Sequence, residues 1–376
     1  MIEIQKNILS LLSKLIPTGK ILLFHSFPDY TDNSYALYRY LINSEYQSKY
    51  LYVWLVSNKS LFKKIKRKIL KDRRDVKVYR KNSVLGLYYF YRAKYVFCTH
   101  GLHSYIKLCQ TDKIINLWHG MPLKRIGHLD QKSNTNPFAH RTIATSTAFQ
   151  KIMAESFNLD TSDVWVVGQP RNDMLFEPTN FYLTFKINLS KFKKKGIWLP
   201  TYRKSIVGAL RTDGIFTEGN ISFLSPAELL VLDRFLSKNG ILLIIKIHPM
   251  DYLQNYHFPD FKNILIIQKT DVAVQLYPLL GSTDFLLTDY SSVWVDYQIL
   301  GRPIGFVMDD YSEYEASRGF CFDNIKELLP GPILSTFDSL KDFLMNTNQI
   351  SHTSCTILNK YRDNKSSERL IKQLNL

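Results

Sequence analysis

Short aliphatic runs recur along this 376-residue chain, and most are followed by a polar turn and a stretch of helical periodicity. Lys20–Phe24, Leu51–Val56, Val76–Tyr79, Tyr95–Thr99, Ile114–Trp118, Arg141–Ser146 and Val164–Val167 make one series of strands. Gly196–Pro200, Ile241–Ile247, Ile264–Ile267, Asp284–Thr288 and Pro303–Val307 make a second. Runs apolar on both faces belong in parallel sheets covered by helices, and strand–helix alternation is how such sheets are built. The chain is too long for one ordinary core and suits two domains of roughly 150–190 residues each. The expectation is therefore an α/β fold with two parallel-sheet domains facing one another across a cleft. The Gly168-Gln-Pro-Arg turn marks the candidate boundary, giving a first domain over 1–175, a second over 176–350 and a C-terminal helical segment over 351–376.

Composition narrows the partners. There are 49 basic and 33 acidic residues, a net charge of +16, and such a surplus asks for an anion: nucleic acid, a phosphorylated substrate or an acidic lipid surface. Cys98, Cys109, Cys321 and Cys355 are scattered without metal-ligand spacing, so they read as reduced thiols rather than as a Cys/His metal site. The amino terminus lacks a cationic, apolar leader, and no apolar run reaches the ~18 residues of a membrane span, which places the chain in the cytoplasm. Two helical segments bear on membrane attachment. Residues 2–16 carry an apolar stripe that serves either domain packing or lipid contact. Lys59 to Arg74 holds nine basic residues and one acid, including Lys63, Lys64, Lys66, Arg67 and Lys68, beside Phe62, Ile65, Ile69 and Leu70. Core docking and an anionic membrane surface are both open to that helix.

Polar clusters sit where strands end, which is where open parallel sheets bind ligands. His119-Gly120 follows the Ile114–Trp118 run and precedes Lys124 and Arg125. His25 ends the first strand, and Asp32 and Asn33 lie in the loop after it, suited to an acceptor or simply to capping the next helix. Tyr202-Arg203 and His248 end two strands of the second series. Thr288-Asp289-Tyr-Ser291-Ser292 sets hydroxyls and backbone N–H groups before a helix, which suits an anion. There is no GxxxxGK[ST], no GxGxxG after a strand and no Asp-x-Asp pair, so charge on a bound phosphate must be met by Arg, His, hydroxyls and helix dipoles. No cofactor is called for, and a divalent metal is left open.

Leu117-Trp-His-Gly-Met-Pro-Leu-Lys124, Gly168-Gln-Pro-Arg171-Asn-Asp173, Leu199-Pro-Thr-Tyr-Arg203, Lys246-Ile-His-Pro249, Thr288-Asp-Tyr-Ser-Ser-Val-Trp-Val-Asp-Tyr297 and Arg318-Gly319 together resemble the CDP-glycerol glycerophosphotransferases, the teichoic acid primases and polymerases and related capsule enzymes. The resemblance implies a GT-B-like fold of two Rossmann-type domains and transfer of glycerol phosphate from CDP-glycerol to a hydroxyl of a lipid-linked or saccharide acceptor, releasing CMP. CDP-ribitol or a nucleotide sugar is the alternative donor; nucleic acid is not a partner. It also implies His119 as general base, with His25, Asp32, Asn33, Lys124 and Arg171 on the acceptor side. Arg203, His248, Thr288, Ser291 and Ser292 would hold donor phosphates, with Tyr202, Asp289, Asp296 and Arg318 near the nucleotide or supporting it; a structural ion pair is the other use for Arg318. Met121 stands where the family often has Thr, so a hydroxyl is missing there. The chain's length favours a primase-like or capsule-linkage enzyme, peripheral on the inner membrane face.

Overall fold

The computed structural model describes residues 10–11, 14–106, 113–130, 137–177, 179–204, 215–268, 275–347 and 357–376. The helix expected over 2–16 falls mostly outside them, as does much of the long loop expected over 205–224. The chain divides into two compact units, one of Met1–Met121, Ile126–Met174 and Asp363–Leu376, the other of Pro122–Arg125 and Leu175–Arg362.

The first unit is a seven-stranded, fully parallel sheet: β1 (Ile21–His25), β2 (Leu51–Val56), β3 (Lys77–Arg80), β4 (Tyr95–Cys98), β5 (Ile114–Asn116), β6 (Arg141–Ala144) and β7 (Val164–Val166), in the order β3-β2-β1-β4-β5-β6-β7. Helices α1 (Asp32–Ile42), α2 (Phe62–Asp72), α3 (Val84–Arg92), α4 (Thr147–Phe157) and the short α5 (Pro170–Asp173) connect them. Strand order reverses between β1 and β4, the place where such sheets open a crevice. Phe24, Trp54 and Phe97 stack across neighbouring strands, with Tyr38 of α1 set edge-on against Phe24 and Trp54, and all are fully buried. Ring burial of this kind contributes about 1.5–3 kcal/mol per side chain.

The second unit holds α6 (Phe181–Phe185), β8 (Lys194–Leu199), α7 (Pro226–Asn239), β9 (Ile241–Lys246), β10 (Ile264–Ile267), α8 (Leu276–Gly281), β11 (Phe285–Thr288), α9 (Val293–Tyr297), β12 (Ile304–Val307), α10 (Tyr311–Arg318), β13 (Ile333–Leu334) and α11 (Phe337–Asn346). Its sheet is also parallel, in the order β10-β9-β8-β11-β12-β13, and it reverses between β8 and β11. Gly196 is required there: a Cβ on it would lie 2.0 Å from the Phe285 ring of the paired strand. Helix α7 starts with a reciprocal Ser225–Glu228 cap, has Pro226 in its first turn and stops at Gly240 in the left-handed region. After Arg362 the chain returns to the first unit as α12 (Ser366–Gln373).

Candidate functional site

In the first unit, the carboxyl ends of adjacent strands carry Ser57 after β2, His25 on β1, Thr99-His100 after β4 and His119 after β5. Strand β5 stops at Asn116, two residues before the apolar run does. Trp118 is turned into the left-handed region (φ 51°) and Gly120 follows at φ 137°. A non-glycine residue held there costs roughly 1–2 kcal/mol, and neighbouring side chains hold the turn in place. Asn116 Oδ1 accepts from the Trp118 N–H at 3.0 Å, and Asn33 Nδ2 donates to the carbonyls of Leu117 and Trp118, each at 3.0 Å. Asn33 Oδ1 accepts from the Arg171 N–H, and the Arg171 guanidinium bonds Asp32 at 3.0 Å. Asp32, Asn33 and Arg171 are therefore a brace behind the His119 turn.

His119 Nδ1 lies 3.0 Å from the Thr99 carbonyl oxygen. A carbonyl only accepts, so Nδ1 carries the proton and the neutral ring keeps its lone pair on Nε2. The ring stacks on His100 at 4.1 Å and 9° and lies 4.1 Å from the Trp118 ring. The residue is exposed to solvent, yet the protein packed around the ring still lowers its pKa by desolvation, with Arg171 acting the same way and the Thr99 carbonyl and Asp32 opposing. His100 is pushed down to about 2, by burial first and by the charge of His119 second. Both rings are neutral at pH 7. His25 is only 2% exposed, with Nε2 2.8 Å from Ser57 Oγ, and burial lowers its pKa to about 3. It is walled off from solvent. Met121 is buried and apolar, so its side chain packs where a Thr would offer a hydroxyl.

In the second unit the β8/β11 crevice is crossed by a buried ion network. Asp289 accepts from the Thr201 N–H and hydroxyl and from Arg203 Nη1 at 3.1 Å. Arg203 also bonds Asp310 through two nitrogens, at 2.6 and 3.0 Å, and the Thr201 carbonyl at 2.9 Å. Tyr290 donates to Asp310 at 2.8 Å, and the guanidinium faces the stacked Tyr290 and Tyr314 rings. Burial alone would lower the Arg203 pKa; the two carboxylates more than offset it and hold it raised. Asp251 lies within reach of the same charges, its pKa pushed up to about 6 by burial. Arg203 is thus neutralised by carboxylates where sequence reasoning set it against donor phosphate. A small pocket opens beside it, lined by Thr201, Arg203, Phe216, Asp251 and Tyr252 among others.

His248 has the opposite tautomer to His119. Its Nδ1 accepts the Met250 N–H at 3.2 Å, so the neutral ring carries its proton on Nε2 and presents a donor. Burial first, then Lys246 and Lys124, lower its pKa to about 4. The Tyr202 ring sits 4.9 Å away. Ser291 and Ser292 are half-buried, and Ser292 makes no cap hydrogen bond, leaving its hydroxyl for another partner. Helix α9 starts at Val293 rather than Asp289 and runs five residues, so its dipole is small. Thr288 is buried and donates to the Leu199 carbonyl. Asp296 is buried in the core and accepts from the Tyr277 hydroxyl at 2.6 Å. Arg318 closes α10; its side chain lies outside the described residues. Lys124, grouped with the acceptor side from sequence, belongs to the second unit: its backbone bridges Phe320 and its ammonium lies over the Tyr314 ring. Asp310, decisive for Arg203, went unread because nothing in the Met308-Asp309-Asp310 turn marks it. Among the described residues no three His, Cys, Asp or Glu side chains converge to hold a metal ion.

The family described as CDP-Glycerol:Poly(glycerophosphate) glycerophosphotransferase matches residues 9–376. The chain belongs to this family. It is 27% identical over 394 residues to the teichoic acid glycerol-phosphate transferase of Staphylococcus aureus (strain NCTC 8325 / PS 47), covering 96% of this chain and 94% of that protein. The teichoic acid poly(glycerol phosphate) polymerase of Bacillus spizizenii is 26% identical over 385 residues, covering 92% and 88%. The S. aureus ribitol-phosphate polymerase TarL is 26% identical over 305 residues, covering 75% and 51%. The chain spans about half the length of several curated relatives it matches. Among solved structures, the wall teichoic acid polymerase TagF superposes with a TM-score of 0.74 at 22% identity over 99% of this chain and 93% of that one. A UDP-N-acetylglucosamine 2-epimerase superposes at 0.53 and 11% identity, over 95% of each. These likenesses establish the expected GT-B-like fold for this glycerophosphotransferase-family chain.

Proposed function

We propose that the protein transfers glycerol phosphate from CDP-glycerol to a hydroxyl of a lipid-linked or saccharide acceptor in teichoic acid or capsule synthesis, releasing CMP. The observation that carries this reading, beyond family membership, is the pair of opposite tautomers. His119 offers a lone pair on Nε2, and His248 offers an N–H. His119 acts as the base, and donor-phosphate contacts come from His248, Ser291 and Ser292, with Tyr202 beside His248.

His119 Nε2 takes the acceptor hydroxyl's proton as that oxygen attacks the glycerol-bearing phosphorus. The P–O bond to the CMP phosphate breaks, and its electron pair leaves on CMP. Base catalysis of this kind contributes roughly 10²–10⁴-fold in rate. The experiment is incubation of the protein with labelled CDP-glycerol and a lipid-linked disaccharide. Release of CMP and labelling of the lipid are expected, and release no faster than with His119→Ala sinks the reading. CDP-ribitol is the second donor to include, because TarL and other relatives are ribitol-phosphate enzymes; preference for it would replace the donor and keep the chemistry. Attachment to an anionic membrane face, through the cations of α2, completes the proposal. No helix among the described residues is long and apolar enough to cross a membrane.

A further inference from the structure

Arg203 is the cation that the sequence offers for the donor, and it is taken by Asp289 and Asp310. A pyrophosphate diester brings two negative charges, so the second unit needs another cation. Along β9, Ile241, Leu243, Ile245 and Ile247 join the apolar cluster on one face of the sheet. Alternation of the pleat sends Lys246 and His248 to the other face. Lys246 is 9% exposed, the last residue of the strand. Among the described residues its ammonium has no hydrogen bond and no carboxylate partner, and burial alone lowers its pKa to about 8. Nor is its Nζ sealed off as an unsatisfied buried atom. Its charge reaches His248, which adds Lys124 as a second positive neighbour. A buried ammonium with no counterion is unfavourable until an anion arrives.

We propose that Lys246, not Arg203, is the cation that binds the donor's phosphate groups, with the Nε2–H of His248 beside it, and that Arg203 is a positioning residue for Thr201, Asp289 and Tyr290. This rests on the donor reading above. As the bond to CMP breaks, the leaving phosphate oxygen gains charge, and the ammonium meets that charge without giving up a proton.

Lys246→Met separates binding from folding because the two move in opposite directions. Removing an uncompensated buried charge raises the melting temperature of the ligand-free protein. The same change weakens CDP-glycerol and CMP binding by roughly 10- to 100-fold, the range for a hydrogen bond to a charged group. Titration calorimetry and thermal shift, on wild type, Lys246→Met and Lys246→Arg, read both. The inference is supported by a Lys246→Met protein that melts higher, loses its CDP-glycerol-dependent shift, shows a raised donor KM and regains binding as Lys246→Arg. Wild-type binding of CDP-glycerol with unchanged affinity in Lys246→Met overturns the inference alone. Absence of CDP-glycerol binding by wild type overturns the donor reading and this inference with it.

Discussion

The position of His119 at a strand end is legible in the sequence, but its chemistry is not. Which nitrogen is free depends on the Thr99 carbonyl, twenty residues earlier, and the turn that aims the ring depends on Asn33 and Asn116. His119→Ala should lower turnover by roughly 10²–10⁴-fold while CDP-glycerol binding stays largely intact; equal loss of both, in paired kinetic and calorimetric runs, places His119 in the donor pocket instead. The base must be neutral, and its pKa lies below 6.5. Activity should therefore persist further into acid than an imidazole of ordinary pKa allows, and fall on stronger acidification, with kcat/KM read against pH. Burial also makes His25 and His103 reluctant to charge, at about 3 and about 4. Between pH 6.5 and those values the unfolded chain binds protons that the folded one does not, so stability is full above pH 6.5 and drains as pH falls. Urea melts at pH 7 and pH 5 should show that loss, and His25→Gln should reduce it; an unchanged slope refutes the assignment. Arg203 shows the opposite limit of reading residues: its neutralising partner Asp310 stands 107 positions away.

At the scale of elements, periodicity placed nearly every strand of both sheets, because a run apolar on both faces has few other uses in a chain of this composition. What it could not place were elements with little apolar content of their own. Strand β13 is two residues long, and α9 begins four residues later than its Asp289 start suggested, since Asp289 turns inward to Thr201 and Arg203. Helix α2 resolves an open alternative. Ile65 and Ile69 are buried in the first unit, while Lys63, Lys64 and Arg67 face solvent and Lys66 and Lys68 are half-exposed. The apolar stripe is spent on docking, so any membrane role is electrostatic rather than insertional. Attraction of about 1 kcal/mol per cation near an anionic surface makes five of them ample. Changing Lys63, Lys64, Lys66, Arg67 and Lys68 to Glu should abolish sedimentation with phosphatidylserine vesicles, and raised salt should do the same to wild type. Salt-resistant sedimentation of the wild type would show that apolar contact, not charge, holds it.

The whole molecule is less linear than its sequence. Pro122–Arg125 leaves the first unit for the second, immediately after the His119 turn, and Asp363–Leu376 returns to the first. Neither excursion has a local signal: four residues with two cations look like a loop, and a terminal amphipathic helix fits either unit. The return is held by specific bonds. The Asp173 carboxylate accepts the N–H groups of Ser366 and Ser367, both at 2.8 Å, so it caps α12 from outside the helix. Arg369 Nε donates to the Val167 carbonyl at 3.0 Å, and Leu370, Ile371 and Leu374 are buried. Three such side chains contribute about 1.5–3 kcal/mol each, comparable to the whole stability of many domains, roughly 5–15 kcal/mol. Cutting the chain after Arg362 should therefore loosen the first unit selectively, leaving Asp173 buried without its two donors. Hydrogen exchange read by mass spectrometry should show faster exchange in β6, β7 and α5 with α7, β8 and β9 unchanged. Asp173→Asn, which keeps the shape but weakens the cap, should give the same pattern in milder form. Equal protection of both units after truncation would mean the terminal helix merely rests on a sheet that is stable without it.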